Sequence, residues 1–395
     1  MKNLTVYLII VIDFVVLLTQ IPNLSISYNE ATLLYGKISF LQLMIHSSLY
    51  FFGHNDFALR FPMILIHTLS LLLLYNLSMQ YISSQRNRIW LLIIFALLPG
   101  TVSAALVVND AGLILFGLFL FVYIYKKSSL LFSHSILLLY LFVSPGFIYL
   151  YLGMMVYYIY SHKSRYALFN FVLFLLSMYI YGFQTYGIPK GHFLDTLGVY
   201  AAIFTPIIFI FIVYALYRRY LMGKTDFIWY ISSSTLLFSL ILSLRQKIQL
   251  EYFAPYIMIA LPQVAQTFVH SYRIRLPQFR KRYKLMFGIS LFLLSINYTA
   301  VLFNKELYLY IDNPKKHFAY KSHIAKELAN ELHKKNIKCV TTDAQMQLRL
   351  KFYDIGKCSQ VVLAENNFAK DVTISYKGNI LYQASVTKIN NNHSN

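Results

Sequence analysis

The hydrophobic positions of this chain come in long blocks, not in the period-two alternation of a strand or the single stripe of a surface helix. A helix needs ~20 residues to cross ~30 Å of hydrocarbon. Eleven blocks approach that length: residues 4–21, 60–82, 89–107, 111–125, 129–144, 146–161, 166–182, 197–217, 227–243, 250–269 and 285–303. The pattern predicts an all-α polytopic membrane domain of about eleven transmembrane helices over residues 1–304. Ser144-Pro145-Gly146 separates two blocks and predicts a tight helical hairpin. The first block exits through Gln20-Ile21-Pro22-Asn23 without a small-x-small cleavage site, so it reads as an uncleaved span.

Two segments depart from the block pattern. Between Lys37 and Gly53 the chain is amphipathic and too polar to span. It predicts a helix lying along the membrane surface, inside a first outer loop of about residues 30–55. After residue 304 the pattern becomes that of a small α/β domain, residues 305–395. His317 to Lys335 reads as a helix with Ile324, Leu328 and Leu332 on one face, and Ala344 to Ile355 as another. Ile337 to Asp343, Val361 to Leu363, Val372 to Tyr376 and Ile380 to Ala384 read as strands. Lys377-Gly378-Asn379 is a hairpin turn, and the polar end from Asn390 to Asn395 reads as frayed. The size and order of this tail suit a docking cap.

Composition supports the membrane reading. Only 13% of the 395 residues are charged and 58% are hydrophobic, against ~25% charged in a soluble domain. This excludes a soluble enzyme, a disordered chain and a disulfide scaffold. The net charge of +20 does not point to nucleic acid, because +14 of it sits in short loops between apolar blocks. With the N-terminus inside, the inner loops hold sixteen basic residues. The outer loops hold five: Lys37, Arg60, Lys190, Arg245 and Lys247. The positive-inside rule then places the N-terminus in the cytoplasm. An odd number of spans places the tail outside. Five acids (Glu30, Asp56, Asp110, Asp195 and Glu251) fall at the same outer face, while Asp226 falls at the inner one. A polar site opening outward has this signature. Asp13 lies inside the first block. A mid-span carboxylate costs ~2.5–3.5 kcal/mol on insertion scales, and it reads as a structural hydrogen-bonding residue. His46, His54 and His192 stand alone and read as surface or interface residues.

The first outer loop carries a resemblance. Phe52-Gly53-His54-Asn55-Asp56-Phe57-Ala58-Leu59-Arg60-Phe61-Pro62 is similar to the Phe-Gly-x-x-x-Phe-Ala-x-Arg-Phe/Leu-Pro signature of bacterial lipid-linked glycosyltransferases of the GT-C fold. The nearest branch is that of the aminoarabinose transferases and protein O-mannosyltransferases. Counting back from Gly53, Lys37 falls on that family's Lys/His position. Leu98-Pro99-Gly100 with Asn109-Asp110 resembles its third span and second outer acidic element. Arg245-Gln246-Lys247 with Tyr252-Phe253-Ala254-Pro255-Tyr256 resembles its late Arg-x-x-Arg-Tyr-x-x-Pro segment. Where the family has an Asp-Glu pair, this chain has Asn29-Glu30, and no Pro follows Lys37.

The resemblance implies transfer of a sugar from a polyprenyl-phosphate donor to an outer-face acceptor: a glycan, a lipid or a protein. A carboxylate must take the acceptor proton, and fixed cations must offset the charge growing on the lipid phosphate. Glu30 and Asp110 are the candidate catalytic acids. Lys37, Arg60, Arg245 and Lys247 are the candidate phosphate ligands. Each has a plainer role open to it: helix capping for Glu30 and Asp110, interfacial snorkelling for Lys37, and locking of the loop for Arg60. Membrane lipids are expected partners and nucleic acid is not. No cofactor is evident, and a divalent metal stays open without a clear ligand set. A transporter or flippase for a lipid-linked sugar is the alternative from another class. Asn29 leaves a third reading open, a non-catalytic binding subunit.

The two cysteines are Cys339 and Cys358. The predicted strand-helix-strand order around them makes a parallel crossover. Both then sit at the same end of neighbouring strands, ~4.8 Å apart, within reach of a disulfide in an oxidising compartment. Two free thiols on opposite sheet faces are the alternative.

Overall fold

The computed structural model describes residues 4–182, 191–311, 313–365 and 371–388. Lys2, Lys190 and the polar end from Asn390 lie outside the described residues. The chain divides into two compact units. One comprises residues 1–17, 39–41 and 63–298, and the other residues 18–38, 42–62 and 299–395. The tail thus belongs to one unit with most of the first loop.

The named elements of the first unit are all helices, among the described residues. Every apolar block of the sequence contains helix, yet the count of eleven spans does not stand. Among the described residues, four helices are long and apolar enough to cross a membrane: Leu4–Asn23, Asp56–Ser78, Ser164–Tyr181 and Pro277–Leu302. The number rises to six if each of two bent pairs is one span. Several apolar helices are therefore compatible with a membrane protein, at about half the expected number. Prolines and short helices explain the difference. Leu98 precedes Pro99 and is extended (ψ 128°), so Gln85–Leu97 and Pro99–Leu106 meet at a 57° bend. Thr205 precedes Pro206 at φ 65°, and Phe193–Phe204 and Pro206–Leu221 meet at 102°. Leu130–Tyr140 has 11 residues, about 16 Å at ~1.5 Å per residue. Asp110–Lys127 carries three charges at its ends.

Packing in this unit is tight. Ile148–Tyr160 and Phe227–Ser243 approach so closely that a Cβ on Gly153 would lie 2.7 Å from the Ile231 Cα. Asp13 finds a partner that sequence alone did not supply. His67 Nε2 lies 3.0 Å from Asp13 Oδ2, and both side chains are 4% exposed. The pair joins Leu4–Gln20 to Asp56–Ser78.

The second unit has its own core around Tyr308, Ile324, Leu328, Leu332, Val340, Leu350, Leu363 and Ile374. The expected helix from His317 is shorter: two 3-10 turns precede an α-helix at Ala325–Lys334, and Ala344–Lys351 is the second helix. Strands β1 (Val361–Glu365), β2 (Val372–Tyr376) and β3 (Asn379–Lys388) form an antiparallel sheet in the order β1-β3-β2. Leu363 pairs with Val386 and Ile374 with Tyr382. Lys377 and Gly378 make the β2–β3 turn at φ 48° and 93°. The stretch expected to be a strand at 337–343 makes two isolated parallel bridges instead, Cys339 to Gly356 and Thr341 to Val362. Cys339 and Cys358 form a disulfide with Cα atoms 5.4 Å apart.

His323 is 1% exposed, its Nδ1 lies 3.0 Å from Tyr308 Oη, and its Nε2 has no partner among the described residues. Burial, then the charges of Lys305 and His317, push its pKa down to about 3. The unfolded chain therefore binds more protons between about pH 3 and ~6.5, and the His323 contribution is complete above ~6.5 and declines as pH falls. The melting midpoint of the second unit should drop on acidification from pH 7.5 to 4.5, with a shallower drop in His323→Gln. Equal slopes would contradict this. For the helix pair, His67→Leu should lower stability by about 3–5 kcal/mol by stranding a buried carboxylate. The double variant with Asp13→Leu should recover much of that loss in denaturation measurements.

Candidate functional site

The candidate residues fall into two clusters of opposite character. Glu30, Lys37 and Arg60 belong to the second unit, and Asp110, Arg245 and Lys247 to the first.

The first-loop cluster is a closed ionic frame. Ser27 caps the helix Tyr28–Tyr35, and Glu30 completes a capping box, its Oε2 accepting from Ser27 N at 2.7 Å. The same oxygen accepts from Arg60 Nη2 at 3.3 Å, and both side chains are 1% exposed. Arg60 Nη1 lies 3.5 Å from Asp56 Oδ1, one turn back on its own helix. The guanidinium also donates to the carbonyls of Leu24 (3.2 Å) and Ser25 (3.0 Å), while its Nε has no partner among the described residues. The tail residues of the same unit extend the frame. Tyr353 Oη donates to Asp56 Oδ1 (2.8 Å) and accepts from Ile26 N (2.9 Å). Lys326 Nζ lies 2.8 Å from Asp56 Oδ2. Arg349 Nε donates to the Ile26 carbonyl (3.0 Å), and its Nη2 to that of Lys321. Lys37 stands apart and exposed, directly after Gly36.

The second cluster is half-buried. Asn109 caps Asp110–Lys127 by accepting from Ala111 N and Gly112 N, which puts Asp110 in the first turn with its carboxylate uninvolved in the cap. Asp110 Oδ2 accepts from Tyr252 Oη at 3.4 Å, and Ser144 is its other side-chain partner. Burial raises the pKa of Asp110. Glu251 precedes Tyr252 in a 3-10 turn, and burial followed by the charge of Asp110 raises its pKa to about 7. Tyr252 also lines an open cleft of about 130 Å³, walled by Pro145, Tyr149, Tyr181, Gln246, Lys247 and Phe253 among others. Arg245 is exposed two residues before Lys247 and is not part of that wall.

The arrangement joins Asp110 and Lys247 to one neighbourhood through Tyr252. Glu251, Ser144 and Tyr252 are its additional members. The sequence signal for Glu251 was its place among the outer acids, four residues after Lys247. Among the described residues no group of three His, Cys, Asp or Glu side chains is close enough to hold a metal. A comparison with protein-family models and one with curated proteins find no match to this chain.

The frame predicts a structural effect. Arg60→Leu leaves two buried carboxylates without their guanidinium and should lower stability by about 3–5 kcal/mol. Arg60→Lys should recover little, because an ammonium cannot reach four separated acceptors as the planar fork does. Amide hydrogen exchange over residues 24–35 would report the loosening; unchanged protection in both variants would contradict the assignment.

Proposed function

We propose that this chain is an integral-membrane glycosyltransferase of the GT-C type that moves a sugar from a polyprenyl-phosphate donor to an outer-face glycan, lipid or protein. The reading includes a bacterial inner-membrane location, a cytoplasmic N-terminus and a periplasmic tail. It draws on the first-loop signature and on the surplus of basic residues in the inner loops. The observation that carries it is the half-buried acid pair, Asp110 and Glu251, one hydrogen bond from an aromatic cleft that also holds Lys247.

The chemistry divides among these groups. The acceptor hydroxyl attacks the anomeric carbon and loses its proton to Asp110, with Glu251 beside it. A carboxyl whose pKa is about 7 exchanges protons readily at neutral pH. The bond from the anomeric carbon to the phosphate oxygen breaks, and the lipid phosphate leaves with the electron pair. Lys247, with Arg245 nearby in the chain, offsets that charge. Tyr149, Tyr181 and Phe253 supply the apolar wall. Glu30 and Arg60 have no direct part in this scheme, because their charged groups are buried against each other.

Turnover of a polyprenyl-phosphate sugar by the purified protein tests the scheme. Asp110→Asn and Glu251→Gln should each lower kcat by ~10²–10⁴ with little change in donor KM. The wild-type rate should rise through about pH 7 as Glu251 loses its proton, and Glu251→Gln should lose that limb. Full turnover in both variants would remove this mechanism, and absence of turnover in the wild type would favour the non-catalytic reading.

A further inference from the structure

The first unit contains a second polar cluster, at the opposite ends of several of its helices. Lys126, in the last turn of Asp110–Lys127, donates from Nζ to Tyr81 Oη at 2.7 Å. Tyr81 Oη donates to Asp226 Oδ2 at 2.7 Å. Asp226 caps Phe227–Ser243 by accepting from Trp229 N at 3.1 Å, and it also accepts from Gln263 Nε2. Both carboxylate oxygens of Asp226 are thus occupied by uncharged donors. Arg219 ends Pro206–Leu221 and donates from Nη1 to Gln266 Oε1 at 2.8 Å.

The charges in this cluster do not balance. Lys126 and Arg219 are two cations, and Asp226 is the acid that acts on both. No carboxylate among the described residues lies within ion-pair distance of either. Arg219 is 9% exposed, and its Nε has no acceptor among the described residues. Arg60 also leaves an Nε without a partner among the described residues, but two carboxylates match its charge. A buried guanidinium in excess of its counter-charge is costly unless an anion completes it. Lys126, Tyr81 and Gln266 around it are only partly buried, so an anion can reach it.

The surroundings indicate where the anion comes from. On the helix that carries Arg219, Tyr217, Tyr220 and Leu221 are 61%, 62% and 64% exposed. Exposed tyrosines beside basic residues at a helix end are the signature of a membrane–water interface. Basic pockets between helix ends at that depth hold lipid head groups.

We propose that Arg219 and Lys126 form a binding site for the phosphate of an anionic phospholipid, whose acyl chains lie along the exposed side of Pro206–Leu221. This site is separate from the Asp110 cleft and does not rest on the transferase reading. Native mass spectrometry of the full chain in detergent, titrated with phosphatidylglycerol or phosphatidylcholine, tests it. The wild type should bind phosphatidylglycerol saturably and in preference to phosphatidylcholine. Arg219→Gln and Lys126→Gln should each weaken binding about tenfold or more. Arg282→Gln, at an exposed basic position elsewhere, should leave it unchanged. Millimolar inorganic phosphate should not displace the lipid. Equal binding by all variants, equal affinity for the two lipids, or full displacement by free phosphate would each overturn the proposal. If Arg219→Gln fails to fold, Lys126→Gln decides alone.

Discussion

Burying a guanidinium is costly unless acceptors and counter-charge meet it, and Arg60 in the second unit has both. Glu30 and Asp56 supply the charge, and the carbonyls of Leu24 and Ser25 supply further acceptors. The consequences spread outward from there. Glu30 also caps its helix through Ser27. Asp56 also holds Tyr353 and Lys326, and Tyr353 and Arg349 both grip Ile26. The extended segment before Tyr28 is fixed from both sides by tail residues some 300 positions later in the chain. A loop that looked like an independent feature is part of the tail's own fold.

That frame changes how the loop's acids are understood. The same residue types appear in two settings, and burial separates their roles. Glu30 sits in a site where its charge is matched by Arg60 and its carboxylate also caps a helix. Asp110 and Glu251 have no cation within ion-pair distance among the described residues, and burial raises both of their pKa values. A carboxyl held near neutrality beside an open cleft suits proton transfer, whereas one locked beneath a guanidinium suits architecture. The proposed chemistry therefore moves from the first loop to the turn at Leu250–Tyr252.

Much of the architecture was legible in the residues. The apolar blocks located the helices, Ile324, Leu328 and Leu332 marked the buried face of a tail helix, and Lys377-Gly378 marked the hairpin. The Cys339–Cys358 pairing followed from a strand-helix-strand order, although only isolated bridges formed at the first strand. The span count was not legible in the same way. Hydropathy sums over a window and is blind to what Pro99 and Pro206 do to the preceding residue, so bent and short helices looked like full spans. The partners of Asp13 and Arg60 were hidden for another reason. His67 and Glu30 meet them only through the fold, 54 and 30 positions away in the chain, whereas Asp56 stands one turn from Arg60 on its own helix. Glu251 was visible as an outer acid, but its approach to Asp110 depends on a fold that brings positions 110 and 251 together.

The central claim is that the chain transfers a sugar from a lipid-phosphate donor. Glycan profiling by mass spectrometry of cells lacking this protein measures it most directly. The account predicts that one sugar disappears from an envelope glycan, lipid or protein, that its polyprenyl-phosphate form accumulates, and that wild-type protein restores the sugar while Asp110→Asn does not. An unchanged set of envelope glycans with no accumulated donor, or full restoration by Asp110→Asn, would contradict it.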